Sequence, residues 1–168
     1  MADLPVREGR LGGLIDQLDT RIIKTLAQIG IPVLRIGLGL VFLWFGFLKF
    51  FPDLSPATDL ATRTMERLTF GVIAPDVALV ILAVWETVIG LGLLSARFLR
   101  VTLLLLVVQM AGTLTPLGLF PEETFTTFPV APTLEGQYII KNIVLIGAAM
   151  VVGATVRGGR LEPMPLCE

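Results

Sequence analysis

Residues 32–51 read PVLRIGLGLVFLWFGFLKFF, twenty residues in which Arg35 and Lys49 are the only charges. About twenty helical residues cover the roughly 30 Å hydrocarbon core of a bilayer. Pro32 suits the first turn of such a helix, and Pro52 stands where it should stop. Lipid offers nothing to an unpaired amide or carbonyl, so a stretch this apolar crosses as a helix or as a strand of a closed barrel. No strict polar–apolar alternation is present, which selects the helix.

Three further stretches have the same character. They are 76–96 (DVALVILAVWETVIGLGLLSA), 99–120 (LRVTLLLLVVQMAGTLTPLGLF) and 138–156 (YIIKNIVLIGAAMVVGATV). Pro116 is expected to end or kink the third, and Arg157-Gly158-Gly159 closes the fourth. The expected fold is all-α: an up-down four-helix transmembrane bundle over residues 31–157, with a tail at 158–168. Residues 1–30 differ. Leu11, Leu14, Ile15, Leu18, Ile22, Leu26 and Ile29 recur at three- and four-residue steps, with Asp16, Asp19, Arg21, Lys24 and Gln28 on much of the other side. That pattern is an amphipathic helix, lying in the membrane interface or packed on a partner. The basic start and small-residue cleavage site of a signal peptide are not evident.

Composition agrees. Of 168 residues, 54% are hydrophobic and only 16% charged, where an ordinary soluble domain carries about 25% charged. Mean hydropathy is +0.84. A net charge of −1 supplies no electrostatic ground for nucleic-acid binding. The chain has no histidine and a single cysteine, Cys167. Histidine-ligated metal, a Ser-His or Cys-His catalytic pair, a CxxC redox pair and a four-thiolate cluster are therefore excluded. No catalytic residue and no metal ligand are assigned, and any redox role must use an organic molecule, or metal centres on a partner chain.

Lysine and arginine set the expected orientation. Arg7, Arg10, Arg21, Lys24, Arg97, Arg100, Arg157 and Arg160 fall on one side of the bundle. The other side has Arg63 and Arg67, and no cation between 121 and 137. By the positive-inside rule both termini are expected to be cytoplasmic. The loops at about 53–75 and 121–137 then face outward. The second is acidic (Glu122, Glu123, Glu135), and its TFTTFPVAP stretch reads as an ordered cap or a partner surface.

Ionisable side chains at membrane depth are costly and usually face the bundle interior. Arg35, Gly39, Phe42, Gly46 and Lys49 share one face of the first span. Ala83, Glu86 and Gly90 share one on the second. Gln109, Gly112 and Thr113 lie on the third span, and Lys141 on the fourth with Gln137 one turn before it. Small residues on these faces imply close helix contact. Glu86 lies about 14 Å from the cytoplasmic end of its span and Arg35 about 5 Å from the same end, by the helical rise. An Arg35–Glu86 ion pair is favoured slightly over Lys141–Glu86, while Arg35 and Lys49 both lie near enough to helix ends to snorkel. Lys49, Glu86, Gln109, Gln137 and Lys141 are the candidate ligand-binding set. Trp44 and Trp85 either stack on a flat ring or pack in the bundle.

The stretches LRIGLGLVFLWFGFLKF, WETVIGLGLL and FPVAPTLEGQYIIKNIVLIGAAMVV resemble the YkgB-like (RclC-like) bacterial inner-membrane proteins, a branch of the DoxX-like superfamily. The resemblance covers about residues 30–156, and EGQYIIKNIVLIGAA carries most of its specificity. It implies a four-helix membrane protein linked with redox metabolism or redox stress, with Arg35, Lys49, Glu86, Gln137 and Lys141 at motif positions. Three readings follow. In the first, a quinone-like ligand is held by Lys49, Lys141 and Gln137, and Glu86 handles a proton. In the second, the chain is a non-enzymatic accessory subunit of a larger respiratory or photosynthetic membrane complex, or a homo-oligomer. A small transporter is the weakest of the three, since no inverted repeat is detectable.

Overall fold

The computed structural model describes residues 6–51, 54–55 and 58–159, without the side chains of residues 6–12, 14 and 16. Expectations placed on Cys167, Arg160 and the side chains of Arg7, Arg10, Leu11, Leu14 and Asp16 fall outside the described residues.

Four helices are long and apolar enough to cross a membrane, over Gln17–Leu48, Pro75–Ser95, Leu99–Leu119 and Leu134–Thr155. The elements in order are α1 (Val6–Leu48), α2 (Thr58–Leu68), α3 (Pro75–Ser95), α4 (Leu99–Leu114), α5 (Pro116–Leu119), α6 (Pro121–Thr124), β1 (Phe125–Thr127), β2 (Ala131–Pro132) and α7 (Leu134–Thr155).

Pro32, expected in the first turn of a helix, lies inside α1, which runs from Val6 to Leu48. Proline removes one amide donor and crowds the carbonyl four residues back, which in water usually breaks a helix. Apolar helices of membrane proteins tolerate it, because the surroundings re-satisfy the freed group. The helix instead ends at Leu48, and the next three amides bond back to Gly46, Phe47 and Leu48 in tight turns. As expected, the third span is interrupted at Pro116: α4 ends at Leu114 and the short turn α5 starts at Pro116. One other boundary shifts for a visible reason. Helix α7 begins at Leu134 rather than 138, because the Thr133 side chain accepts the Gly136 amide as an N-cap.

The chain divides into two compact units, Met1–Leu34 and Arg35–Glu168. The first is helical from Val6, and its apolar residues Ile15, Leu18, Ile22, Leu26 and Ile29 are all exposed. The second holds the core. Leu38 and Phe42 of α1, Ala83, Ile89 and Leu93 of α3, Leu106 and Met110 of α4, and Ala149 and Val152 of α7 are buried. Helix α3 packs on α2 and α4, and α4 packs on α7.

Between apolar helices in lipid, association rests on close van der Waals packing more than on hydrophobic transfer. Two glycines allow it here. A Cβ at Gly90 of α3 would lie 2.5 Å from the Leu43 amide nitrogen, and one at Gly46 of α1 would lie 2.7 Å from that of Thr87. The backbones of α1 and α3 therefore touch at two levels, and side chains flanking the contact are fixed in depth.

The long connections all lie at one end of the bundle, opposite the three-residue turn 96–98 between α3 and α4. There the expected cap is a folded object. Helix α2 buries Leu60, Thr62 and Thr64. The α4–α7 connection folds as α5, α6 and the antiparallel pair β1–β2. Thr124 is fully buried, and the Gly136 position leaves no room for a side chain beside the Thr124 carbonyl.

Candidate functional site

Glu86 lies 11 residues into α3 and 9 from its end, so the carboxylate starts about 14–16 Å from either terminus. A charge at that depth needs partners, and it has two. Lys49 Nζ donates to Glu86 Oε2 at 2.6 Å, and Gln109 Nε2 donates to Oε1 at 2.9 Å. Three helices thus meet on one carboxylate. The Lys49 and Glu86 side chains are only 16% and 12% exposed. Lys49 also donates to the Phe45 carbonyl at 3.5 Å. On α4 the Thr113 hydroxyl donates to the Gln109 carbonyl at 2.8 Å.

Lys49 can do this because of where α1 stops. It sits just past the last helical residue, one turn beyond the contact of Gly46 with Glu86 and Thr87. Its side chain reaches back along the helix pair to the carboxylate. The hydroxyl of Thr87, next along α3, is buried and has no hydrogen-bond partner among the described residues.

The favoured Arg35–Glu86 pair does not form. Arg35 Nη1 donates to the Leu93 carbonyl, and to that of Leu94 at 3.2 Å. Helix α3 ends in a left-handed residue, Ala96, and the last carbonyls of any helix lack intrahelical donors. A cation at this terminus also complements the helix dipole. Arg35 finds those acceptors at its own depth, whereas Glu86 lies two turns deeper.

The alternative Lys141–Glu86 pair does not form either, so the ligand-binding set divides. Lys49, Glu86 and Gln109 come together. Gln137 and Lys141 are exposed on the outward face of α7, and Lys141 Nζ lies 4.9 Å from the centroid of the Tyr138 ring. Trp44 is likewise outward, at 69% exposure. Trp85 has a structural role: its Nε1 donates to the Leu105 carbonyl of α4 at 3.2 Å. Among the described residues no three His, Cys, Asp or Glu side chains gather as a metal site.

A second polar cluster holds the loop end together. Arg63 of α2 donates to both oxygens of Glu123 on α6, with Nη1 to Oε1 at 2.8 Å. It also meets Asp59 at 2.9 Å and lies 5.3 Å from the Phe120 ring centroid. The Thr133 hydroxyl donates to the Glu123 carbonyl at 2.7 Å, which ties the clasp to the start of α7. Hydrogen bonding to Arg63 holds the Glu123 carboxyl below the ordinary carboxylate range, and the Glu123 bond raises Arg63 in return. Neither partner is remarkable alone in the sequence; only the fold brings residues sixty apart together.

The family model of DoxX matches residues 30–118, more than half of the chain. The chain belongs to the DoxX family. No curated protein and no solved structure matches it. The matched stretch carries Arg35, Lys49, Glu86 and Gln109, so the whole three-helix polar contact of this DoxX chain lies inside it. Gln137 and Lys141 lie beyond its end. With four apolar helices, the chain is a multi-pass membrane protein of the DoxX type.

Proposed function

We propose that this DoxX-family chain is a non-catalytic subunit of the bacterial cytoplasmic membrane, of the YkgB-like branch, serving redox metabolism or redox defence by binding another membrane protein along α7. In this reading both termini are cytoplasmic and the loop end faces out. The observation that carries the proposal is the division of the polar groups. The interior carboxylate is already taken by Lys49 and Gln109, while Lys141 and Gln137 face outward on a membrane-crossing helix. Lys141 starts about 10 Å into α7 by the helical rise. Polar side chains placed there gain most from a neighbouring helix that answers them. A photo-crosslinking residue at Val144, one turn from Lys141 on the same outward face, tests this in whole cells. The expected result is a discrete protein adduct that is lost when Lys141→Ala is added. Adducts with lipid only overturn the reading.

A quinone-like ligand remains a second reading, favoured by one observation, the unpartnered buried hydroxyl of Thr87 beside the Glu86 contact. Saturable quinone binding by the purified chain that Thr87→Val and Gln109→Leu abolish would support it. Wild-type titration by both variants would remove it.

A further inference from the structure

The loop end holds a groove of about 560 Å³ between α5, α6 and β1, well away from Glu86. That is within the ordinary range of small-molecule sites. Its walls are Leu117 and Pro121, the rings of Phe125 and Phe128, and the Glu122 and Thr126 side chains. The two rings meet edge to face, with centroids 5.2 Å apart and planes at 83°. Phe128 remains exposed at the tip of the pair.

The side chains of the groove offer almost no donor. No lysine or arginine lines it, and the Thr126 hydroxyl already donates to the Ala131 carbonyl at 2.9 Å. An anion would find no cationic side chain to hold it, and it would meet the Glu122 carboxylate. What the groove does offer is negative potential from two sources. Aromatic faces attract cations through the ring quadrupole. The Glu122 carboxylate adds a full charge and, among the described residues, enters no ion pair. Its neighbour Glu123 is held by Arg63, so the two adjacent carboxylates are used differently. A bare metal ion is a poor match, since calcium takes six to eight oxygen ligands and one carboxylate supplies at most two. The complement to a lone carboxylate among phenyl rings is a cation wrapped in methyl or methylene groups.

We propose that the groove formed by Glu122, Phe125 and Phe128 binds a small organic cation of the quaternary ammonium class. In this proposal Glu122 neutralises the charge, and the two phenyl rings with Leu117 and Pro121 supply the apolar surface for the alkyl groups. The proposal is independent of the α7 reading, because the groove and the outward face of α7 share no residue.

The test uses the full chain in an uncharged maltoside detergent, with choline and its uncharged isostere 3,3-dimethylbutan-1-ol as probes and saturation-transfer NMR as readout. Choline should bind saturably and the isostere more weakly. Glu122→Gln and Phe128→Ala should each weaken choline by about threefold to thirtyfold, with unchanged thermal unfolding. Gly118 lines the same groove, and a Cβ built there meets nothing within 4 Å. Gly118→Trp removes no side-chain contact and adds bulk at the groove wall, so it should weaken choline as well, and it serves where either other variant folds poorly. Absence of saturable choline binding, equal binding of the isostere, or unchanged binding in a folded variant overturns the proposal.

Discussion

Lys49 Nζ stands 2.6 Å from Glu86 Oε2, and the contact exists because Gly46, one turn earlier, lets α1 lie directly on the α3 backbone at Thr87. The helix–helix approach sets the depth of both side chains, and the ion pair in turn penalises any sliding of one helix on the other. Removing one member of a buried pair leaves the other uncompensated and typically costs about 3–5 kcal/mol. Glu86→Leu should approach that cost, measured by reversible denaturation in mixed micelles. The double variant Lys49→Met, Glu86→Leu should recover a large part of it, since an apolar replacement of both partners is often close to neutral. Additive losses in the double variant would show that the two residues act separately.

Gln109 is a weaker member of the same contact. A hydrogen bond to a charged group contributes about 1.5–3 kcal/mol, less than leaving a buried ion without its partner. Gln109→Leu should therefore cost less than Glu86→Leu in the same assay. An equal cost would mean that Gln109, not Lys49, is the principal partner of the carboxylate.

The close helix contact can be separated from the polar one. Gly90→Ala places a methyl 2.5 Å from the Leu43 nitrogen, with backbone that cannot step aside. Overpacking of this kind costs about 1–3 kcal/mol. Gly147→Ala on α7, where a Cβ meets nothing within 4 Å, should be neutral or slightly stabilising. Thermal unfolding of the two variants side by side checks the pair, and a Gly90→Ala protein as stable as wild type would place α1 farther from α3.

The four crossings were legible because each is a long apolar run, and lipid leaves the backbone one way to bond. The candidate site was legible only in part. Glu86, Gln109 and Lys49 could be named from their residue types and depth. Their pairing could not, because depth alone put three cations within reach of Glu86. What separates them is geometry: Arg35 meets the free carbonyls of Leu93 and Leu94 first, and Lys141 points away from the bundle on α7. One signal was available. Gly46 and Lys49 are three residues apart, so the lysine had to emerge at the tightest point of the helix pair. The continuous α1 through Pro32 was not legible, since proline in water-exposed sequence normally marks an end.

Arg35 is expected to act on the end of α3 rather than on Glu86. Arg35→Met should fray the last turn, raising hydrogen exchange at the α3–α4 turn 96–98 while leaving exchange around Glu86 unchanged. A hydrogen bond to a charged donor contributes about 1.5–3 kcal/mol, discounted here because Arg35 is only part-buried. Equal effects at the turn and at Glu86 would restore a direct link between the two residues.

The clasp at the loop end should respond to acid. Glu123 is held below the ordinary carboxylate range by its bond to Arg63. A depressed folded pKa means that the clasp contributes its full stability above the ordinary carboxylate value, and loses it as pH falls through the lower, folded value. Arg63 is raised, so it keeps its charge across any pH of interest and the transition belongs to Glu123. Spin labels at Glu66 on α2 and Thr127 in β1, both exposed, should report one distance at neutral pH and a broader distribution in acid. Glu123→Gln should show the broad distribution at every pH. A narrow distribution in Glu123→Gln would mean that α2 is held over the loop end by its apolar contacts alone, through Leu60 and its neighbours, with the charges contributing nothing to the closure.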